Sequence, residues 1–257
     1  MFINTLKYHL HSLIKPIHIW GLIATFLSYT FFVHTMYEEI MPSTTFKVLA
    51  FTFYFPIYSN LDVFRWLLLI VPLLVMIGNF MTSEIKERGI FVLLHVGSYH
   101  MWFHSLMLSV LLFTFFYFLF GFISIGFISW FLATPNGGEI ALPFFNKMAT
   151  SYLIGHEFFL LIFVAILLVW ISIFLTFLLN QAALATILTI ICSSAVQIGN
   201  YIAPNLMSYL PLTYSFLAFR EMHHLPFRWS YLLILLSLMI IYLFAYIYFL
   251  KKNETIF

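Results

Sequence analysis

Charge is what this sequence has least of. Lys, Arg, Asp and Glu make up 8% of its 257 residues, where a soluble domain carries about 25%, so no water-facing surface of ordinary size can be built from it. The 11 Lys and Arg are scattered along the chain and exceed the 9 Asp and Glu by only +2, which excludes the basic stripe of a nucleic-acid binder. Cys192 is the one cysteine, inside an apolar run, so no intrachain disulfide can form. No G-x-x-x-x-G-K-S/T stretch occurs, so the chain has no phosphate loop with which to hydrolyse ATP. Soluble-like composition never extends far enough for a separate globular domain, and residues 1–257 read as a single membrane domain.

What fills the chain is oil: 63% hydrophobic and 21% aromatic residues. Apolar runs near the ~20 residues that a helix needs to cross a bilayer occur at about 17–36, 64–82, 105–132, 158–179, 182–203 and 230–250. None holds an Asp, Glu, Lys or Arg in its interior, and Trp66, Trp102, Trp130 and Trp229 lie near run ends, where indole favours the headgroup boundary. The expected fold is an all-α integral membrane protein with six transmembrane helices.

The first sixteen residues, MFINTLKYHLHSLIKP, interleave polar and apolar residues, unlike a signal peptide. Phe2, Ile3, Leu6, Leu10, Leu13 and Ile14 recur at near-helical spacing with Lys7, His11 and Lys15 between them, as in an amphipathic helix lying in the interface. With both termini cytoplasmic, Lys7, Lys15, Lys86, Arg88, Lys251 and Lys252 fall inside and Lys47, Arg65, Lys147, Arg220 and Arg228 outside. Lys251–Lys252 directly follows the last run, and several outside bases sit in longer loops that weigh less in the positive-inside rule, so this orientation is the expected one. The stretch 46–60 is too short to cross and is broken by Pro56, placing it on or dipping into the outer leaflet. The Pro-punctuated stretch 203–226 receives the same reading, since irregular backbone at membrane depth must be buried against protein. The fifth run is rich in small residues, among them Ser193, Ser194 and Gly199, which permit close helix approach in the interior or at a subunit interface.

Between the second and third runs stands SEIKERGIFVLLHVGSYHMW, residues 83–102, charged at one end and apolar at its root. Ile85, Phe91, Val92, Leu93 and Leu94 separate from Glu84, Glu87 and Arg88 around a helix, and Gly97–Ser98 breaks it. A cytoplasmic helix of this kind can receive force from a soluble partner. The segment resembles the coupling helix of ABC-2-type transporter permeases, with Glu87, Arg88, Gly89, Leu93, Leu94, Gly97 and Ser98 at the matching positions and Glu84 at its start. The layout is also similar: an N-terminal elbow helix (1–16), six spans, a coupling helix (83–100) and a re-entrant external segment between helices 5 and 6 (203–229). The sequence departs from the family pattern in lacking the usual Pro in the turn and in having His104 where Lys is common. The resemblance implies a non-enzymatic permease subunit of a bacterial exporter in the cytoplasmic membrane. It implies a separate ABC ATPase that binds ATP and Mg, and a second permease copy or a related permease as dimer partner. A charge-free, Phe-rich interior suits an amphipathic peptide, an antimicrobial or a lipid-like cargo, moved outward for export or self-protection. The alternative class is a non-transport membrane protein, a sensor subunit or an intramembrane enzyme.

Other motifs carry less. GHEFFLL, 155–161, begins like the zinc-protease signature, but Leu160 stands where the second His is required, which leaves His156 and Glu157 marking the outer end of the fourth run. Glu38–Glu39 in MYEEIMP pairs two carboxylates without the Arg that a known membrane-protease motif places after them. His100 and His104 share a helix face at i, i+4, as do His95 and Tyr99; such pairs form interfacial polar belts far more often than metal sites. His223 and His224 beside Glu221 read as part of the external cap. Ion-coupled transport requires ionisable groups inside the membrane, and the six runs offer only neutral ones such as Asn180, Gln181, Gln197 and Asn200. No metal, cofactor or catalytic residue is assigned.

Overall fold

The computed structural model describes residues 2–36, 45–53, 60–84, 98–132, 149–203, 207, 209–215 and 227–254. Among these it is helical, without a strand: α1 (Phe2–Leu13), α2 (Pro16–Met36), α3 (Thr45–Phe53), α4 (Asn60–Ser83), α5 (Tyr99–Leu132), α6 (Thr150–Leu179), α7 (Ala182–Ile202) and α8 (Phe227–Glu254), with a 3-10 turn at Pro211–Ser215. Six of them, α2 and α4 to α8, are long and apolar enough to cross a bilayer, as in a multi-pass membrane protein. They coincide with the six runs read from the sequence, but α5 and α6 begin several residues earlier, at Tyr99 and Thr150. At 34 residues, α5 extends about 50 Å against a hydrocarbon core of about 30 Å, so it tilts or projects beyond the bilayer.

The corners follow local chemistry. Pro16 opens α2 at the first helical position, where its missing N–H costs nothing, and the Nδ1–H of His18 donates to Leu13 O at 2.5 Å, occupying a terminal carbonyl of α1. Asn180 ends α6 with φ 57, the one positive φ at a non-glycine residue among those described, and Asn is among the few side chains that tolerate that region. Gln181 is extended and α7 starts at once, so α6 and α7 pack side by side. Hydroxyls inside the apolar helices spend themselves on their own backbone: Thr30, Thr52, Thr114, Thr176 and Thr189 each donate to the carbonyl four residues back.

The centre is α6, apolar on every side and buried through nearly all of 160–169, in contact with α3, α4, α5, α7, α8 and the 3-10 turn. α8 packs on α6 but turns Leu232, Leu236, Met239, Leu243 and Ile247 outward. Phenylalanine serves both environments: Phe26, Phe53, Phe103 and Phe118 are buried, whereas Phe31, Phe116, Phe127 and Phe131 are exposed.

Ring contacts fix two faces. At the first, α1 meets the start of α5 (His9–Trp102), and α5 meets the ends of α6 and α8 (Phe103–Phe177, Trp102–Phe249). At the second, α3 meets the far part of α5, whose Phe122 stacks on Phe53 with ring centroids 3.8 Å apart, and Phe122 in turn meets Phe158 near the start of α6. Phe122 lies about 15 Å by helical rise from the end of α5, so α3 reaches deep into the bundle, and its Phe51 and Phe53 are buried. The sequence placed 46–60 on or dipping into the outer leaflet; Thr45–Phe53 packs against α5 and α6 inside the helical bundle, and Pro56 lies outside the described residues. Of the stretch 203–226, expected outside, the 3-10 turn packs on α6, α7 and α8 with Thr213 and Tyr214 buried.

The amphipathic helix expected over 1–16 is present as α1, but the protein takes its polar side: Thr5, His9 and Ser12 are buried with Leu13. Ile3 and Ile14 are exposed, beside exposed Lys7 and His11.

Candidate functional site

The segment between α4 and α5 is described only at its ends. Glu87, Arg88, Gly89, Leu93, Leu94 and Gly97 lie outside the described residues, and Ser98 immediately precedes α5, its carbonyl accepting from the Trp102 N–H at 3.2 Å. Glu84, expected among the charges that meet a partner, is fully buried instead. Its Oε2 lies 3.4 Å from His9 Nδ1, also fully buried. The cause is α1, whose polar face lies over the end of α4. Neither side chain has a hydrogen-bond partner among the described residues, so this 3.4 Å approach is the polar contact each has there. The His9 ring stands edge-on to Phe80 of α4 and Trp102 of α5, with centroids 6.1 and 5.9 Å away. One histidine thus ties α1 to both helices that flank the segment 84–98.

A second polar centre lies at the other face. Arg65 of α4 is fully buried and donates from one terminal nitrogen to Thr52 O at 2.8 Å and Phe51 O at 3.3 Å. The Tyr29 hydroxyl of α2 donates to the same Thr52 O at 2.5 Å. These carbonyls end α3, where a helix has no backbone donors left and carries partial negative charge; a planar guanidinium that fans several donors suits such an end. The Arg65 guanidinium also lies 5.9 Å from the Phe51 ring centroid, within cation–π range. Glu157 of α6 is buried too, 2% exposed, with no hydrogen-bond partner on either carboxyl oxygen among the described residues. The positive charge of Arg65 acts on it electrostatically.

This corrects the expectation of charge-free spans. Arg65 and Glu157 both fall inside helices long enough to cross a bilayer: Arg65 stands at the very start of its apolar run, and Glu157 is taken in because α6 starts before its run does. Glu157 faces the protein interior, while its neighbour His156 faces α8, stacking on Phe227 at 3.8 Å and sharing a 2.8 Å hydrogen bond with the Tyr231 hydroxyl. The signal was present in the sequence: Phe64 and Trp66 flank Arg65, and Phe158 and Phe159 directly follow Glu157.

Two further histidines pair with tyrosines. His100 Nδ1 shares a 2.6 Å hydrogen bond with the Tyr246 hydroxyl, and His104 Nδ1 bonds Tyr242 in the same way, zipping α5 to α8 at the first face. Among the described residues no three His, Cys, Asp or Glu side chains come together as metal ligands. Glu38, Glu39, His95, Glu221, His223 and His224 lie outside the described residues. On α7, Ser193 is buried within the chain and Ser194 half-buried, both hydroxyls donating to Ile190 O. A Cβ added at Gly199 would lie 2.9 Å from the terminal methyl of Met207, so these small residues pack within the chain. No protein-family model matches this chain, and no curated protein matches it.

Proposed function

We propose that this chain is the membrane-spanning permease subunit of an ATP-driven exporter of the ABC-2 type, moving an amphipathic peptide or antimicrobial out of the cell or the membrane. It works in a bacterial cytoplasmic membrane with both termini inside, paired with a second copy or a related permease, and a separate ABC ATPase binds ATP and Mg. The observation that carries this reading is the clamp on the segment 84–98. Its first residue, Glu84, is held to His9, and the helix that follows it is held at Trp102 to the same His9 and to Phe249 of α8. A push arriving at either end of the segment therefore reaches α1, α4, α5 and α8 through packed contacts, as a lever between an ATPase and a membrane path requires. The test is co-expression with a candidate ABC ATPase: a stable complex whose ATP hydrolysis rises with an amphipathic peptide supports the reading, and an ATPase that never co-purifies contradicts it.

A second reading rests on Glu157. A carboxyl group inside a membrane span, unbonded and acted on by one buried Arg, is the kind of group on which ion-coupled carriers run. Under that reading the chain alone, reconstituted in vesicles, transports cargo down an imposed proton gradient without ATP, and Glu157→Gln abolishes it. An intramembrane enzyme would instead cleave peptide as the isolated chain.

A further inference from the structure

The outer surface of the bundle carries an apolar groove of about 450 Å³ bounded by α1, α2 and α5. Leu10 and Ile14 close it at one end, Ile19 and Leu22 form one wall, and α5 forms the other from Phe113 to Ile123. The polar side chains in its lining turn their bonding atoms inward: His18 commits Nδ1 to Leu13 O, and Tyr117 donates its hydroxyl to Leu69 O at 3.0 Å. From Phe113 to Ile123 the groove runs about 15 Å by helical rise, half of a hydrocarbon core of about 30 Å, and thus one leaflet deep.

Its closed end is basic. Lys7 and His11 are exposed on α1, Lys15 follows Ile14 at the corner, and no Asp or Glu occurs in the sequence before Glu38. With Thr5, His9 and Ser12 turned into the protein, the outer side of α1 presents apolar residues flanked by positive charge, the arrangement by which interfacial helices hold anionic lipids.

We propose that this groove is a binding site for one anionic phospholipid, an acyl chain lying along α5 from Phe113 to Ile123 and its phosphate held by Lys15 and Lys7. The depth selects a single-leaflet chain and the charge selects the headgroup. The site serves the protein whether or not it works as an exporter.

The test uses the full chain in bilayer discs containing equal phosphatidylglycerol and phosphatidylcholine, stripped with mild detergent, with retained lipid identified by mass spectrometry. The wild type retains phosphatidylglycerol in preference to phosphatidylcholine, and neither diacylglycerol nor inorganic phosphate displaces it. Lys7→Gln with Lys15→Gln loses the preference but still retains lipid. Ile19→Trp and Ile123→Trp, at exposed positions that fill the groove without entering the core, lose retained lipid of both kinds, with thermal unfolding confirming that each variant is folded. Equal retention of the two lipids by the wild type, displacement by inorganic phosphate alone, or unchanged retention in both tryptophan variants overturns the proposal.

Discussion

Replacing Arg65 by Met keeps most of the side-chain volume and removes the charge that joins α3, α4 and α6. Several contributions are lost. The 2.8 Å bond to Thr52 O is charge-assisted and contributes about 1.5–3 kcal/mol. The 3.3 Å bond to Phe51 O adds a smaller amount, and Glu157 is left buried without the positive charge that acts on it. A net loss of about 1.5–3 kcal/mol, that of a charge-assisted hydrogen bond, is expected for Arg65→Met. Glu157→Gln costs less, because Arg65 keeps its carbonyl partners. In the double variant both partners of the electrostatic contact are gone, so its loss differs from the sum of the two single losses by a coupling of about 0.5–3 kcal/mol. The assay is reversible unfolding in mixed micelles followed by tryptophan fluorescence, for which fully buried Trp66 is a neighbouring reporter. Wild-type stability of Arg65→Met, or losses that add to within about 0.5 kcal/mol, would refute the linkage.

Gly121→Ala gains up to about 1 kcal/mol of helix propensity but puts a Cβ 2.7 Å from Phe26 Cδ1, with two other ring atoms closer still; a net loss of about 1–3 kcal/mol is expected. Gly155→Ala meets nothing within 4 Å and is neutral or stabilising, so thermal unfolding should order the two variants in opposite directions from wild type. His9→Ala and Glu84→Gln each undo the contact that holds α1 to α4 and α5, and are expected to make trypsin cut after Lys7 faster than in wild type. Cysteines at Asn4 and Asn253 resist an impermeant thiol reagent in intact cells if both termini are cytoplasmic, and one at Asn136 reacts; labelling at both termini without permeabilisation reverses the orientation.

The spans were legible because lipid imposes its demand on each helix separately: a run of about 20 apolar residues is readable without knowing its neighbours. Where the helices pass beyond the runs, composition no longer marks them. Tyr99–Met101 and Thr150–Glu157 are helical because they continue α5 and α6 and pack against α8. The depth of α3 depends on the Phe53–Phe122 stack and on Arg65 reaching its last carbonyls, contacts between residues far apart in sequence. The polar centres were missed for the same reason. Arg65 and Glu157 looked like loop charges at run ends, and α1 was read by its apolar row, whereas its buried contact is made through His9. Of the segment 84–98 the sequence gives a pattern and the described residues give its two anchored ends.

The most direct measurement of the exporter reading reverses the charges that the segment is proposed to present, Glu87→Lys together with Arg88→Glu, and follows co-purification of the ABC ATPase and cargo transport. Loss of one side of a buried charged contact costs about 2–5 kcal/mol, enough to release the ATPase. Thermal stability of the permease itself stays at the wild-type value, because the clamp through His9 and Glu84 is untouched. Abolished association and transport with an intact fold is the expected result. Undiminished association and transport would leave the segment a mere interfacial helix and contradict the claim that it couples this chain to an ATPase.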